Sequence, residues 1–421
     1  MKNSYRWRIC GLLFFATTIN YVDRQVLSIL APQLQEIFNW SEKDYGYIIM
    51  AFQIAYALGL LFTGRFLDKF GVRIGYSIAI AVWSIFAAFH ALAVSVFSFA
   101  VARFGLALGE SANFPASIKT VAEWFPKKER ALATGIFNSG STIGAIIAPL
   151  LIPFLAVNFG WQFAFLVTSL LGFVWLIFWI PFYKSPNKIP AVSKEELEHI
   201  NSDKEPETRH SISWSKLFTY KQTLGICLGR FVTDPIWWFF LYWLPKYLSE
   251  QHGLNIQGMG FPLIIIYVFS SVGGISGGWL SSHFIKRGKS IDFARKTTIL
   301  IFALLVTPVF LLTYFSSLTL AIVLISFAAA AHQAWASNIF TVVSDIYPKN
   351  AIGSMTGLSG FWGAMGGIIF APVVGFILDT TGSYHIIFAI VSCAYLLAWL
   401  FLKIFVRKIE PLNVISLDGS K

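Results

Sequence analysis

The sequence predicts an all-α membrane protein of twelve transmembrane helices in two pseudo-symmetric six-helix bundles, and three observations carry that prediction. Of its residues, 56% are hydrophobic and 13% charged, a composition suited to lipid. Apolar runs of about 20 residues, the length a helix needs to cross a bilayer, recur at about 9–31, 45–66, 74–94, 96–121, 131–157 and 161–183, then at 221–248, 258–281, 296–315, 317–343, 352–378 and 384–406. A single long hydrophilic stretch, 184–220, separates the two sets.

The expected organisation is therefore an N-terminal bundle over 1–183, a linker over 184–220, a C-terminal bundle over 221–408 and a tail over 409–421. The charged start and apolar run of "MKNSYRWRICGLLFFATTI" resemble a signal peptide, but the hydrophobic segment continues past them with no A-x-A-like site, so it reads as a retained first span. In the linker, "KSPNKIPAVSKEELEHINSDKEPETRHSISWSK" is rich in Pro, Ser and mixed charge. Ser193 to Ile200 within it reads as a short amphipathic helix opened by a Ser cap with Glu196 three residues on. No chemistry is assigned to that helix.

Orientation follows from Lys and Arg, which concentrate in cytoplasmic loops. Both termini and the even-numbered connections hold 26 of the 32, whereas the outer loops hold only Lys43 and Lys246. Both termini are thus expected in the cytoplasm. The net charge of +11 is largely this topological bias, and no nucleic-acid partner is expected from it. The three cysteines, Cys10, Cys227 and Cys393, lie far apart in apolar runs, which implies neither a disulfide framework nor a cysteine-based metal site.

A repeat joins the halves. "FPKKERALATG" (Phe125 to Gly135) aligns with "YPKNAIGSMTG" (Tyr347 to Gly357) at an offset of about 222 residues. The spans that follow contain "GSTIGAIIAPLL" and "GAMGGIIFAPVV", where small residues let helices approach closely. Duplicated halves are a common way to build a transporter.

The loop after span 2, "GRFLDKFGVR" (Gly64 to Arg73), resembles the signature of the major facilitator superfamily. It reads as a tight cytoplasmic turn in which Gly64 and Gly71 permit close backbone approach. Asp68, Lys69 and Arg73 would make ion pairs that break and re-form. The second copy, "GGWLSSHFIKRG", lacks the Asp but keeps Lys286 and Arg287. More finely, "NYVDR", "RFGLALGESANFPA" and "EWFPKKERALATGIFNSGSTIGAIIAP" resemble the anion:cation symporter family, which moves organic anions, mostly with protons. "RFVTDPIWW" and "AHQAWASNIFTVVSD" are similar to its bacterial hexuronate branch. The resemblance implies uptake of galacturonate or glucuronate across the bacterial inner membrane by alternating access, with protons as coupling ion and no other cofactor. A monomer is expected, with a small organic anion and the lipid bilayer as its partners.

Charges inside a span are costly, roughly 2.5 to 3.5 kcal/mol each at the helix centre, and usually face a cavity or one another. Span 1 places Asn20, Asp23 and Arg24 on one helical face. The planar guanidinium of Arg24 suits bidentate capture of a carboxylate, and the resemblance implies the same role. The competing reading is an Arg24 neutralised by Asp23 or another acid. In span 4, Arg103 and Glu110 are seven residues apart and so share a face. Asp23 and Glu110, without a permanent partner, are the proton-coupling candidates, with Arg103 biasing proton release; a static network holding spans 1 and 4 together is the alternative. The resemblance implies proton coupling for both acids.

Gln53 and Tyr56 share a face of span 2, and Tyr21 lies beside Arg24 in span 1; all three are candidate substrate contacts. The resemblance supports Tyr56 best. Ser141 occupies a position where some sugar-acid relatives place a longer amide, which leaves its contact open. In the second half, Arg230 and Asp234 are spaced to pair with each other, and Asp234 and Trp237 are candidate substrate contacts. Pro235 is expected to interrupt that helix and free backbone groups. Span 10 spreads His332, Gln333, Trp335, Ser337 and Asn338 over one arc, donor and acceptor types suited to sugar hydroxyls; a lone buried His is more often a satisfied hydrogen-bonding residue. No metal site is suggested. No nucleophile-base motif, phosphate loop or cofactor signature stands out, which argues against an enzyme. The rival cargo is an aldonate or aldarate; a uniporter or a non-transporting sensor is a further alternative, although a sensor should carry a signalling domain and the tail is short.

Overall fold

The structure, a computed structural model, describes residues 5–202, 217–347 and 349–412. The second part of the expected linker, 203–216, and most of the expected tail, 413–421, lie outside the described residues. Among the described residues there are fourteen α-helices and no strand, in two compact units: Met1–Glu207 with Asn255–Gly260, and Thr208–Leu254 with Phe261–Lys421.

In the first unit, α1 (Tyr5–Phe38), α2 (Glu42–Phe89), α3 (Val96–Glu110), α4 (Asn113–Trp124), α5 (Lys127–Phe159) and α6 (Trp161–Phe182) are followed by the short α7 (Lys194–Asn201). Serines start three of them: Ser41 and Asp44 form a capping box at α2, Ser95 and Ser98 form one at α3, and Ser193 caps α7. α1 packs against α5 and α6, and α2 against α3 and α6. The core between them is aromatic, with Tyr76 edge-on to both Trp175 and Trp179.

The second unit begins with α8 (Lys221–Tyr242) and α9 (Leu244–His252). α10 (Gly260–Lys286) follows, then α11 (Ile291–Val306), which a 3-10 turn extends over Thr307–Thr313. α12 (Leu318–Ile346), α13 (Lys349–Thr381) and α14 (His385–Phe405) complete it. Here α8 packs against α13 and α14, and α11 against α12.

Ten helical segments of the described residues are long and apolar enough to cross a membrane. The expected first and fourth spans are not among them. α1 is long but carries Asp23 and Arg24, and the expected fourth span, 96–121, is not one helix. It breaks at Ser111 and Ala112, directly after Glu110. Pro115 supplies the reason: in the first turn of α4 its missing N–H costs nothing, whereas an unbroken helix would set its ring against the Ser111 carbonyl.

The signature loop also differs from its sequence reading. α2 stays helical through Gly64 and leaves helical geometry at Gly71 alone, with φ 75° and ψ 158°, a conformation glycine reaches without penalty. No heavy atom of the described residues lies within 4 Å of a Cβ built at either glycine, and Gly71 is distinguished by its backbone angle. Arg73 makes no ion pair among the described contacts; its Nε and Nη2 donate to the Ile180 carbonyl at 3.1 and 2.7 Å, at the C-terminal end of α6, where the helix dipole favours a cation. Lys69 stands 5.4 Å from the Phe70 ring centroid. The Asp68 side chain lies outside the described residues.

The linker helix α7 acts as a cap for α1. Ser193 accepts from the Glu196 N–H at 3.2 Å, and Glu196 turns its carboxylate onto the start of α1, accepting from the N–H groups of Tyr5 and Arg6 at 3.0 and 3.1 Å. These are donors a helix leaves unsatisfied at its first turn. Arg6 also binds Glu129 at 3.0 Å, and His199 meets the other Glu129 oxygen at 2.9 Å. Burial works to raise the Glu129 carboxyl, but the hydrogen bonds and charges of His199 and Arg6 outweigh it and hold it below the usual range. A carboxyl depressed in the folded state stabilises the fold above its unfolded-state value, and that contribution disappears as pH falls through the folded one. Thermal unfolding in detergent should therefore show a midpoint that drops below about pH 4, and Glu129→Gln should flatten part of that drop. Glu196→Ala should lower the midpoint by a few degrees at pH 7, as expected for a lost cap in a chain of this size.

Candidate functional site

In the first unit the intramembrane charges converge. Arg24 donates from Nε to Glu110 Oε2 at 2.9 Å, and its Nη2 lies 2.8 Å from the same oxygen. Nη2 also reaches Asn20 Oδ1 at 3.3 Å, one turn earlier on α1. The guanidinium is walled by rings: its Cζ is 5.0 Å from the Tyr21 and Tyr56 centroids and 5.2 Å from that of Phe52, arrangements that favour a cation over an aromatic face. Arg103 donates from Nη2 to the Arg24 carbonyl at 2.7 Å and stands 5.0 Å over the opposite neighbour, Phe52. The Arg24 and Glu110 side chains are 4% and 0% exposed.

This corrects one expectation. Glu110, the last residue of α3, has a partner, Arg24 of α1, whose long side chain reaches it. Asp23 does not neutralise Arg24. Its two oxygens accept no hydrogen bond, and the neighbouring Thr168 hydroxyl donates to the Phe165 carbonyl at 3.3 Å. Glu110 Oε1, Asn20 Nδ2 and both amide atoms of Gln53 are likewise buried without a partner. A buried polar group left unmatched costs about 1 to 3 kcal/mol, so this cluster has the unspent hydrogen-bonding capacity of a site that receives something else. Tyr21 and Tyr56 are half-buried around it. Ser141, on α5, donates to the Asn138 carbonyl at 2.7 Å and no described contact joins it to the cluster.

The second unit holds another arginine and acid. Arg230 donates from Nε and Nη2 to Asp234 Oδ2 at 3.0 and 2.8 Å and from Nη1 to Ser359 Oγ at 3.1 Å. Its Cζ lies 5.2 Å from the Phe340 centroid. A Cβ at Gly363 would overlap the Asp234 carboxylate, and one at Gly366 would overlap the Phe231 carbonyl. Glycine is required on α13 for the close approach to α8. α8 remains helical through Pro235, contrary to the expected interruption; the Phe231 carbonyl, which Pro235 cannot bond, is the group that Gly366 lies against.

The span 10 residues turn inward. His332 Nδ1 and Tyr395 OH lie 2.7 Å apart, and the ring stacks on Trp237 at 5.0 Å, which is the satisfied histidine. Trp335 is 1% exposed and packs edge-on against Tyr395. Asn338 and Ser337 donate to the Ala334 carbonyl of their own helix at 2.8 and 2.9 Å. Gln333 packs beside Gly274 of α10.

The sequence profile of the Major Facilitator Superfamily matches residues 13–291. The chain belongs to the major facilitator superfamily. It is 34% identical over 394 residues to the "Hexuronate transporter" of Escherichia coli (strain K12), covering 92% of this chain and 90% of that one. With the "Probable galactarate/D-glucarate transporter GarP" of the same organism it shares 32% over 414 residues, 93% of each chain. Among solved structures it resembles the crystal structure of a D-xylose-proton symporter, with a TM-score of 0.76 and 17% identity over 97% of this chain and all of that one. The inward-facing bacterial homolog of the human lysosomal transporter Spinster follows at a TM-score of 0.73 and 18% identity, covering 97% and 96% of the two chains. These structural likenesses speak for the fold alone. This major facilitator is an integral membrane transporter and not an enzyme.

Within the transporter, several site residues escape the sequence reading. Phe52 separates the two buried arginines; its signal is the spacing to Tyr56, which puts two rings on successive turns of one helix. Ser359 and Phe340 complete the Arg230 environment and carry no sequence signal of their own.

Proposed function

We propose that the chain imports a hexuronate, galacturonate or glucuronate, by proton symport through alternating access. The observation that carries this reading is Arg24, a permanent cation inside α1, enclosed by Tyr21, Phe52 and Tyr56 and held by a carboxylate, Glu110, that a proton can neutralise. Protonated Glu110 releases the guanidinium to the sugar-acid carboxylate, and Asp23, with no hydrogen-bond donor on its oxygens, is the second proton carrier. The 34% identity to a hexuronate transporter supports the cargo. The transporter works as a monomer in the inner membrane, with both termini cytoplasmic and protons as the coupling ion.

Charge counting separates two stoichiometries. One proton per monovalent uronate moves no net charge. Two protons move one positive charge inward and add roughly 2.3 kcal/mol per 100 mV of membrane potential; the two acids favour this case. Uptake of radiolabelled galacturonate into proteoliposomes with an imposed inward proton gradient is expected, faster when the interior is made negative by a potassium diffusion potential. Accumulation that ignores potential at fixed pH gradient would leave one proton per substrate, and no proton-driven accumulation of either uronate would overturn the reading. The 32% identity to a probable galactarate/D-glucarate transporter favours an aldarate as the second candidate, and competition by galactarate in the same assay decides between them.

A further inference from the structure

The ion pair in α8 repeats the geometry of the one in the first unit. In both, Nε and Nη2 of an arginine converge on one carboxylate oxygen, at 2.9 and 2.8 Å for Arg24 and at 3.0 and 2.8 Å for Arg230, and in both the guanidinium lies over an aromatic ring. Two donors on a single oxygen fall short of the parallel fork in which each donor has its own. The pair is thus a serviceable counterion arrangement that a better-oriented carboxylate can outcompete.

Exposure distinguishes the two pairs. The Arg230 and Asp234 side chains are 15% and 19% exposed, and Phe340 beneath the guanidinium is 46% exposed. α8 is apolar enough to span the membrane, and Arg230 stands near its middle. Charged pairs within a span usually face a cavity or one another rather than hydrocarbon, and the partial exposure of this pair leaves it accessible. The niche is lined by Arg230 and Asp234 of α8, Phe340 of α12, and Ser359 of α13 with Gly360, where an added Cβ would lie 3.5 Å from the Arg230 Nη1. One N–H on each of Nη1 and Nη2 has no partner among the described contacts.

We propose that Arg230 is a second carboxylate-binding residue of this transporter, masked by Asp234 until an organic carboxylate takes its place and Asp234 takes up a proton. The exchange keeps the niche neutral: one guanidinium and one carboxylate remain charged before and after. Asp234 thereby acts as the proton-linked acid for a second substrate carboxylate, so that a dicarboxylate entering with three protons still moves one positive charge inward, and Ser359 holds the guanidinium in place through the exchange. His332, Tyr395 and Cys227 are the other titratable groups within electrostatic reach of the pair. The inference rests on the sugar-acid reading given above.

The test is calorimetric titration of galactarate, a dicarboxylate, into the full chain in nanodiscs at pH 8, for wild type, Asp234→Asn, Arg230→Gln and the double variant. Asp234→Asn removes the mask and should tighten binding at least tenfold, while ending the uptake of one proton seen by repeating the wild-type titration in buffers of different ionisation enthalpy. Arg230→Gln should weaken binding at least tenfold, and the double variant, which buries no unmatched charge and so folds, should bind as weakly as Arg230→Gln. A double variant that binds like wild type would mean the pair is only structural, and an unchanged affinity in Asp234→Asn would overturn the masking. Wild-type protein that binds no galacturonate, galactonate or galactarate would overturn the sugar-acid reading itself, a result distinct from either.

Discussion

Arg24→Ala is expected to abolish proton-driven galacturonate accumulation in proteoliposomes and to weaken substrate binding on the order of 100-fold or more. A hydrogen bond to a charged group contributes about 1.5 to 3 kcal/mol, and a bidentate carboxylate uses two, so each lost contact is worth tenfold or more. The variant also leaves Glu110 buried without its counterion, and breaking such a pair from one side costs about 3 to 5 kcal/mol of stability. Arg24→Ala combined with Glu110→Gln removes that burden and separates folding from function: it should restore the melting temperature but not transport. Arg24→Lys keeps a charge but lacks the planar fork that meets Nε and Nη2 contacts together, and should still bind at least tenfold more weakly. Full accumulation in Arg24→Ala would make the arginine a structural counterion and nothing more.

Glu110→Gln should have a different signature. The amide imitates the protonated acid, so Arg24 is permanently released and substrate exchange across the membrane should continue, with affinity raised several-fold. Gradient-driven accumulation should fall to background, because the group that loads and unloads a proton in step with the guanidinium is gone. Counterflow with galacturonate on both sides and uptake driven by an imposed pH gradient measure the two activities on the same preparation. Loss of both would point to collapse of the α1–α3 contact, and retention of both would place coupling elsewhere. Neither is expected, since Gln is nearly isosteric with Glu and preserves the packing, while it carries no charge to hold the guanidinium and no proton to exchange.

Much of this architecture is legible in the chain because hydropathy is a local property. Ten segments can be read by length and composition alone, and the i, i+4 spacing of Asn20 and Arg24 or of Arg230 and Asp234 appears as a real contact. The Arg24 to Glu110 pair is 86 positions apart, and nothing in either helix says which neighbour will lie opposite. The same limit explains α12: periodicity correctly groups His332, Trp335 and Asn338 on an arc, but their burial depends on Tyr395 of α14 and Trp237 of α8, which come from distant parts of the chain. Pro115 and Pro235 show a third case. One ends up beside a helix break and the other inside a continuous helix, an outcome that proline alone does not dictate.

The single departure from helical geometry in α2 has a mechanical meaning. From Glu42 to Phe70 the helix rises without interruption, about 44 Å at 1.5 Å per residue, well beyond the roughly 30 Å of a hydrocarbon core. A rod of that length is stiff, and its swivel is one residue, Gly71, whose backbone angles open to either side of the left-handed region without steric cost. Any rotation at that joint is multiplied along the arm, so that a turn of about 5° moves the far end by roughly 4 Å, between two and three residues of helical rise. The one joint in this long helix therefore falls at the position with the least side chain, and the length of the arm on either side is set by where that glycine lies in the sequence.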